Sequence, residues 1–141
     1  MKILVINGPN MNMLGIREPE IYGTRSYDDL ICFLTEGRSS VADLSFFQSN
    51  HEGAIVDAIH QAYYDGIDGI VINAAAYTHT SIAISDAISA VGIPAVEVHL
   101  SDPLQREEYR HTSYLSDVCI ATISGKGFDG YTEAIDLLLY R

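Results

Sequence analysis

The chain has 141 residues, 48% of them hydrophobic, and a formal net charge of −11. That length suits one domain, residues 1–141, with a core that needs no disulfide or metal staple, and the acidic balance excludes nucleic acid and anionic membrane as partners, since both need a basic face. A small anionic ligand is compatible with it, because Arg17 with Arg25 and Arg106 with Arg110 gather half of the eight basic residues into two short stretches; surface ion pairs are the alternative use of those arginines.

Residues 2–6, KILVI, form a continuous apolar run that predicts a strand covered on both faces. The run is too short for a signal-peptide core, and no later stretch is long enough to span a membrane. Cys32 and Cys119 fall in apolar segments without partner spacing, which reads as buried thiols in a reducing compartment. The expected address is cytoplasm. Residues 7–23, NGPNMNMLGIREPEIYG, then read as an irregular loop carrying Asn10, Arg17 and Tyr22. Connections in α/β units usually run about 2–6 residues, so one of this length predicts a lid or binding loop, with a long structural loop as the alternative.

Ser26 and Asp29 mark a helix start, with Leu30, Ile31, Phe33 and Leu34 on its inner face and an end between Gly37 and Ser40. Residues 43–48 predict a second strand. Asn50 is the expected cap of a second helix, with Ile55, Val56, Ile59, Ala62 and Tyr63 as its apolar face and Gly66 as its stop. A third strand, residues 69–73, runs into the polar loop AAAYTHTS, and Ile82, Ile84, Ala87, Ile88 and Val91 mark a helix closed by Gly92 and Pro94. Residues 95–100 and 118–123 predict the fourth and fifth strands, separated by the loop and short helix SDPLQREEYRHTSY, and TEAIDLLLY closes the chain as a helix. Strands alternating with helices predict an α/β fold, a five-stranded parallel sheet with helices on both faces. Ligands bind such sheets beyond the carboxyl ends of the strands, where the loops from Asn10 to Tyr22, Asn73 to Ser81 and His99 to His111 all begin.

A phenol ordinarily ionises near ~10, and a close guanidinium favours its anion, so Tyr22 beside Arg17 could supply a base. Glu97 and His99, two apart on a strand, project from the same face, and a carboxylate there would orient the imidazole and favour its protonated form, as a general acid requires. A structural ion pair is the other reading of that pattern. His79 sits in the polar loop and could bind a ligand, whereas His51, His60 and His111 read as helix-end or surface residues. No H-E-x-x-H or C-x-x-C occurs, so the pattern supports no metal site. Neither Lys2 nor Lys126 reads as a desolvated amine for a Schiff base. Gly125, Gly127 and Gly130 match G-x-G-x-x-G, but a dinucleotide fold would need a further strand with an acidic residue ~20 positions on, and the expectation is a tight turn with close helix packing. A response-regulator reading fails because the first and third strands end in Asn7 and Asn73, where an acidic residue is needed; a flavodoxin reading lacks the Ser/Thr-rich phosphate loop.

Together, NGPNMNMLGIREPEIYG, FFQSNHEG, INAAAYTHTSIAISDA, EVHLSD and REEYRHTSY resemble type II 3-dehydroquinate dehydratase, nearly end to end. The resemblance implies a flavodoxin-like fold, twelve chains arranged as a tetramer of trimers, no cofactor and no metal, and anti elimination of water from 3-dehydroquinate through an enolate. It makes Tyr22 the base at C2, with Arg17 favouring its anion and closing with the lid, and has Asn10 help a water stabilise the enolate. His99, oriented by Glu97, would protonate the departing hydroxyl. Asn73 and the Leu100 and Ser101 backbone would bind the carboxylate, His79 and Arg110 the hydroxyls, and Asp86 would act at a trimer interface near a neighbour's site. The chain departs from the family at NMNML for NLNLL, at Ile16, and at Ala74 and Ala75, where the family pattern has Pro and Gly. A catalytically silent small-anion-binding protein on the same scaffold, or the same reaction in quinate breakdown, are the alternatives.

Overall fold

The computed structural model describes residues 1–141. Its strands are β1 (Lys2–Asn7), β2 (Asp43–Gln48), β3 (Gly69–Asn73), β4 (Ala95–His99) and β5 (Ala121–Ser124). Its helices are α1 (Pro19–Tyr22), α2 (Tyr27–Arg38), α3 (Glu52–Tyr64), α4 (Ile82–Val91) and α5 (Asp129–Tyr140). The strands pair in the order β2-β1-β3-β4-β5, every pair parallel, which is the flavodoxin-like order with its switch point between β1 and β3. No helix is long and apolar enough to cross a membrane.

Successive strand residues point to opposite faces, and the two cores follow that alternation. Ile3, Val5, Val71, Val96 and Val98 pack with Leu30 and Leu34 of α2 and with Tyr131, Ile135 and Leu138 of α5. Leu4, Ile6, Ile70 and Ile72 pack with Ile55 and Ile59 of α3 and with Ile84 and Ile88 of α4. Each fully buried aliphatic side chain of this kind contributes roughly 1.5–3 kcal/mol, so the sheet is clamped from both sides and its carboxyl edge is a firm platform.

Helix ends follow local chemistry. The Ser26 hydroxyl accepts from the Asp29 N–H at 3.1 Å and the Asp29 carboxylate accepts from the Ser26 N–H at 2.8 Å, a complete capping box. Ser81 caps α4 by accepting from the Ile84 N–H, and Gly92 ends it at φ 66.

Several expectations are corrected. Asn50 does not cap α3, whose cap residue is His51; its side-chain oxygen instead accepts from the Asn10 N–H and from Gln48, so it braces the first loop. That loop is partly ordered into a 3-10 turn at Met11–Met13 and the turn of α1, which ends at Tyr22. Tyr63 and Ile82 are exposed, because each sits at the margin of its helix's apolar stripe. Cys32 is also exposed, two helical positions away from Leu30 and hence on the opposite side of α2, while Cys119 is partly buried and its thiol is pushed up to about 12, first by burial and then by the Glu97 charge. β4 ends at His99, not at residue 100, and β5 begins at Ala121, not at residue 118. The N–H groups of Val118 and Cys119 both bond to the Leu115 carbonyl, closing a turn, and the chain joins the sheet only at Ile120, which donates to the Ala95 carbonyl. Between β4 and β5 the chain makes 3-10 turns at Pro103–Gln105 and Glu108–Arg110.

The loop after β3 retains a left-handed residue, Ala75 at φ 53, where the family pattern has glycine. The turn brings the Ala75 N–H 3.1 Å from the Asn73 side-chain oxygen, which holds it despite the cost to an L residue. Left-handed geometry costs such a residue roughly 1–2 kcal/mol, and glycine gives back about 0.5–1 kcal/mol through the unfolded chain. Ala75→Gly should therefore stabilise the fold by about 0.5–1 kcal/mol, read from urea unfolding at constant m; a loss of stability would show that the alanine methyl packs productively.

Candidate active site

Above the carboxyl ends of β1, β3 and β4 lies a pocket lined by Asn10, Arg17, Tyr22, Asn73, His79, His99, Leu100, Ser101 and Arg110, with Met11, Arg106 and others completing its wall. Three loops supply these residues, and each leaves a strand at this edge. Glu97 lies behind His99 and is not part of the lining, and Asp86 is exposed on α4, apart from the pocket of its own chain. Neither Lys2 nor Lys126 reaches it; Lys126 pairs with Glu133 at 2.6 Å. No three His, Cys, Asp or Glu side chains converge to hold a metal ion.

Where the first loop meets the pocket, the Arg106 guanidinium donates to the Tyr22 hydroxyl at 2.5 Å, while the Arg17 guanidinium lies 4.6 Å from the centre of the Tyr22 ring. The spacing of the first loop suggests Arg17 as the nearest cation to the oxygen, but Arg17 stacks on the ring and Arg106 makes the direct bond. Arg106 belongs to the basic cluster visible in the sequence; nothing local links it to a tyrosine 84 positions earlier. Arg110 is held by Glu107 at 2.8 Å; burial works against its charge, but Glu107 and the nearby Tyr22 outweigh burial and raise its pKa.

Across the pocket, His99 Nε2 is 2.6 Å from Glu97 Oε2. Glu97 has no exposed surface, and its oxygens accept further bonds from the hydroxyls of Ser113 at 2.8 Å, Ser116 at 3.1 Å and Thr122 at 3.0 Å. Burial pushes the Glu97 carboxyl up, yet the His99 ring and the hydroxyl donors outweigh it and hold the group below the ordinary carboxylate value. The carboxylate therefore accepts at every side, His99 donates from Nε2, and Nδ1 is the nitrogen left for chemistry. His79 stacks beside His99, with ring centres 6.5 Å apart. Its Nδ1 is 2.8 Å from the Thr112 carbonyl, which can only accept, so Nδ1 carries the proton and Nε2 is an acceptor. Burial lowers its pKa, opposed by the Thr112 bond, so the ring is neutral near pH 7.

The turn at Leu100 and Ser101 is braced from β5. Gly127 donates its N–H to the Leu100 carbonyl at 3.1 Å and Gly125 to that of Ser101 at 3.2 Å, both glycines at positive φ. Close approach is equally strict at Gly8, where a Cβ would stand 2.4 Å from the Ala74 carbonyl oxygen.

Residues 1–139 match the family model described as dehydroquinase class II. The chain belongs to that family. It is 54% identical to the 3-dehydroquinate dehydratase of Bordetella avium, over 94% of this chain and 93% of that one, and 52% identical to the catabolic 3-dehydroquinase of Debaryomyces hansenii, over 99% and 98%. The type II dehydroquinase of Butyrivibrio crossotus superposes with a TM-score of 0.96 at 53% identity, covering 98% of this chain and 97% of its own. Against the family pattern, Arg106 and Ser113 lie inside a matching motif, REEYRHTSY, although nothing local names their partners, whereas the hydroxyls of Ser116 and Thr122 lie outside every matching motif.

Because the folded state holds Glu97 below 4.5, its ordinary value, protonation favours the unfolded chain: the charge contributes fully above that pH and its contribution drains as pH falls through the lower folded value. Glu97→Gln removes this titration and leaves hydroxyl donors facing an amide. The variant should melt below the parent at pH 7, and the gap should narrow as the solution is acidified below pH 4.5. Calorimetry across that range checks it; a gap that does not change with pH would contradict the assignment.

Proposed function

We propose that the chain, acting over residues 1–141 as one catalytic domain, is a hydro-lyase that removes water from 3-dehydroquinate by anti elimination through an enolate to give 3-dehydroshikimate, as in the shikimate pathway. The observation that carries this reading is the pairing of a tyrosine whose oxygen is gripped by Arg106 with a carboxylate-backed histidine on the same pocket. The Tyr22 phenolate takes the C2 proton. Arg106 and Arg17 stabilise its charge before the step, and Asn10 with a water stabilises the enolate oxygen. His99 delivers its Nδ1 proton to the departing C1 hydroxyl, and Glu97 stabilises the imidazolium that exists until then. Asn73 with the backbone of Leu100 and Ser101 takes the substrate carboxylate, while His79 Nε2 accepts from a substrate hydroxyl and Arg110 donates to another. No lysine is at hand for an imine. The catabolic relative from Debaryomyces hansenii favours a second setting for the same chemistry, the breakdown of quinate.

Cytoplasm is the proposed compartment, in keeping with two free cysteines, one of them exposed. The proposed assembly is twelve chains, a tetramer of trimers, in which Asp86 serves a neighbour's pocket. Supporting this, Ile82, Ile120 and Tyr140 leave 58%, 47% and 72% of their surface uncovered. Sedimentation should give the mass of twelve chains; an active monomer would overturn the assembly.

Tyr22→Phe keeps the ring under Arg17 and removes the proton acceptor. Turnover, followed as the rise in ultraviolet absorbance of the conjugated enone product, should fall by about 10²–10⁴-fold with KM little changed. Arg106→Ala should lower kcat, a change that Arg17→Ala shares to a smaller degree. Near-normal turnover in folded Tyr22→Phe protein would remove Tyr22 as the base.

A further inference from the structure

Beneath the pocket floor, Tyr131 of α5 has no exposed surface and lies in an otherwise apolar cluster. Its hydroxyl donates to Asn7 Oδ1 at 2.5 Å and accepts from Asn73 Nδ2 at 2.9 Å. Asn7 and Asn73 face each other in register as the last residues of β1 and β3. The direction of every bond is forced. The Ala75 N–H can only donate, so the Asn73 oxygen must lie toward it, at 3.1 Å; the amide nitrogen is then the donor to Tyr131, whose single proton goes to Asn7.

Asn73 Nδ2 has a second hydrogen, and its only acceptor is the Met11 thioether, 3.7 Å away on the pocket wall. A thioether is a weak acceptor, and an anionic group entering the pocket displaces it readily. Asn7 Nδ2 makes no close hydrogen bond of its own, although Tyr27, whose pKa burial raises and Asn7 opposes, lies beside it.

We propose that Tyr131 is a positioning residue for substrate binding: its buried hydroxyl, anchored on Asn7, fixes the Asn73 amide so that one N–H is offered to the substrate carboxylate. The proposal deepens the dehydratase reading and rests on it. With the hydroxyl gone, the amide keeps one anchor of two, and orientations that turn its oxygen toward the carboxylate become populated. The loss falls on binding, because Asn73 does not touch the bonds being broken.

The test is a double-mutant cycle on the assembled enzyme. Tyr131→Phe should raise KM for 3-dehydroquinate about tenfold, the loss expected for a hydrogen bond to a charged group, and hold kcat within about threefold. In an Asn73→Ala background the same substitution should leave KM unchanged, since the residue it acts through is gone. Equal effects in the two backgrounds, a fall in kcat alone, or a lower melting temperature with unchanged KM would make Tyr131 merely structural and overturn the proposal. Should Tyr131→Phe fail to fold, Asn7→Ser frees the hydroxyl to rotate and should give a smaller rise in KM, again absent beside Asn73→Ala; a rise that persists there overturns the proposal equally. A parent enzyme that forms no enone from 3-dehydroquinate would instead fail the dehydratase reading itself, an outcome seen before any variant is made.

Discussion

A carboxylate with no exposed surface, Glu97 in the fourth strand, is the constraint around which one side of the molecule is arranged. An ionised group buried alone costs several kcal/mol, and the fold meets that demand with donors drawn from separate segments. Thr122 lies directly across the ladder from Glu97, which ties the register of β5 to the charge. Ser113 and Ser116 come from the segment returning to the sheet, and Ser113 also accepts the N–H groups of Leu115 and Ser116, so the same hydroxyl that serves the carboxylate shapes the turn. The fourth donor is His99. Structural satisfaction of the charge and orientation of the His99 ring are therefore one arrangement, and neither can be altered without the other.

The pocket faces the opposite electrostatic problem. A chain of net charge −11 places Arg17, Arg106 and Arg110 around one cleft, and two of these share Glu107 as a companion while the third leans on Glu18. Those carboxylates are about half exposed, where ion pairs are weak and screened. An anion held inside meets the same guanidiniums with less water between them, so its interaction is the stronger one. The companions keep long side chains in place without neutralising the site.

How much of this was legible depended on the distance over which each signal acts. The spans of β2 and β3, the capping box at Ser26 and Asp29, and the left-handed stop at Gly92 are local patterns, and they stand where the sequence placed them. Glu97 and His99 were visible as a pair because strand periodicity alone puts them on one face. By contrast, the bond from Arg106 to Tyr22 joins the loops after β4 and β1, strands separated in the sheet by β3, and no spacing rule connects them. Asn50 has the right residue type for a cap, yet its oxygen is engaged by Asn10 and Gln48, a tertiary use that outcompetes the local one. The start of β5 was misplaced for a similar reason: VCI is apolar enough for a strand, but Leu115, fully buried, pins the backbone into a turn first.

The glycines that imitate a dinucleotide fingerprint show how a motif acquires its meaning from what its backbone faces. In a nucleotide-binding turn the N–H groups are free and point at phosphate. Here the N–H groups of Gly125 and Gly127 are occupied by the carbonyls of Ser101 and Leu100, and the third glycine, Gly130, is set against Val98 and Ile123 with a Cβ only 3.5 and 3.4 Å from their side chains. Positive φ favours glycine at Gly125 and Gly127, whereas at Gly130 those distances are ordinary van der Waals contact that a small side chain could also make. The donors are turned inward, however, so β5 cannot present them to a ligand. It can only brace the end of β4, which leaves the cleft over β1, β3 and β4 as the place where the strand ends meet an anion.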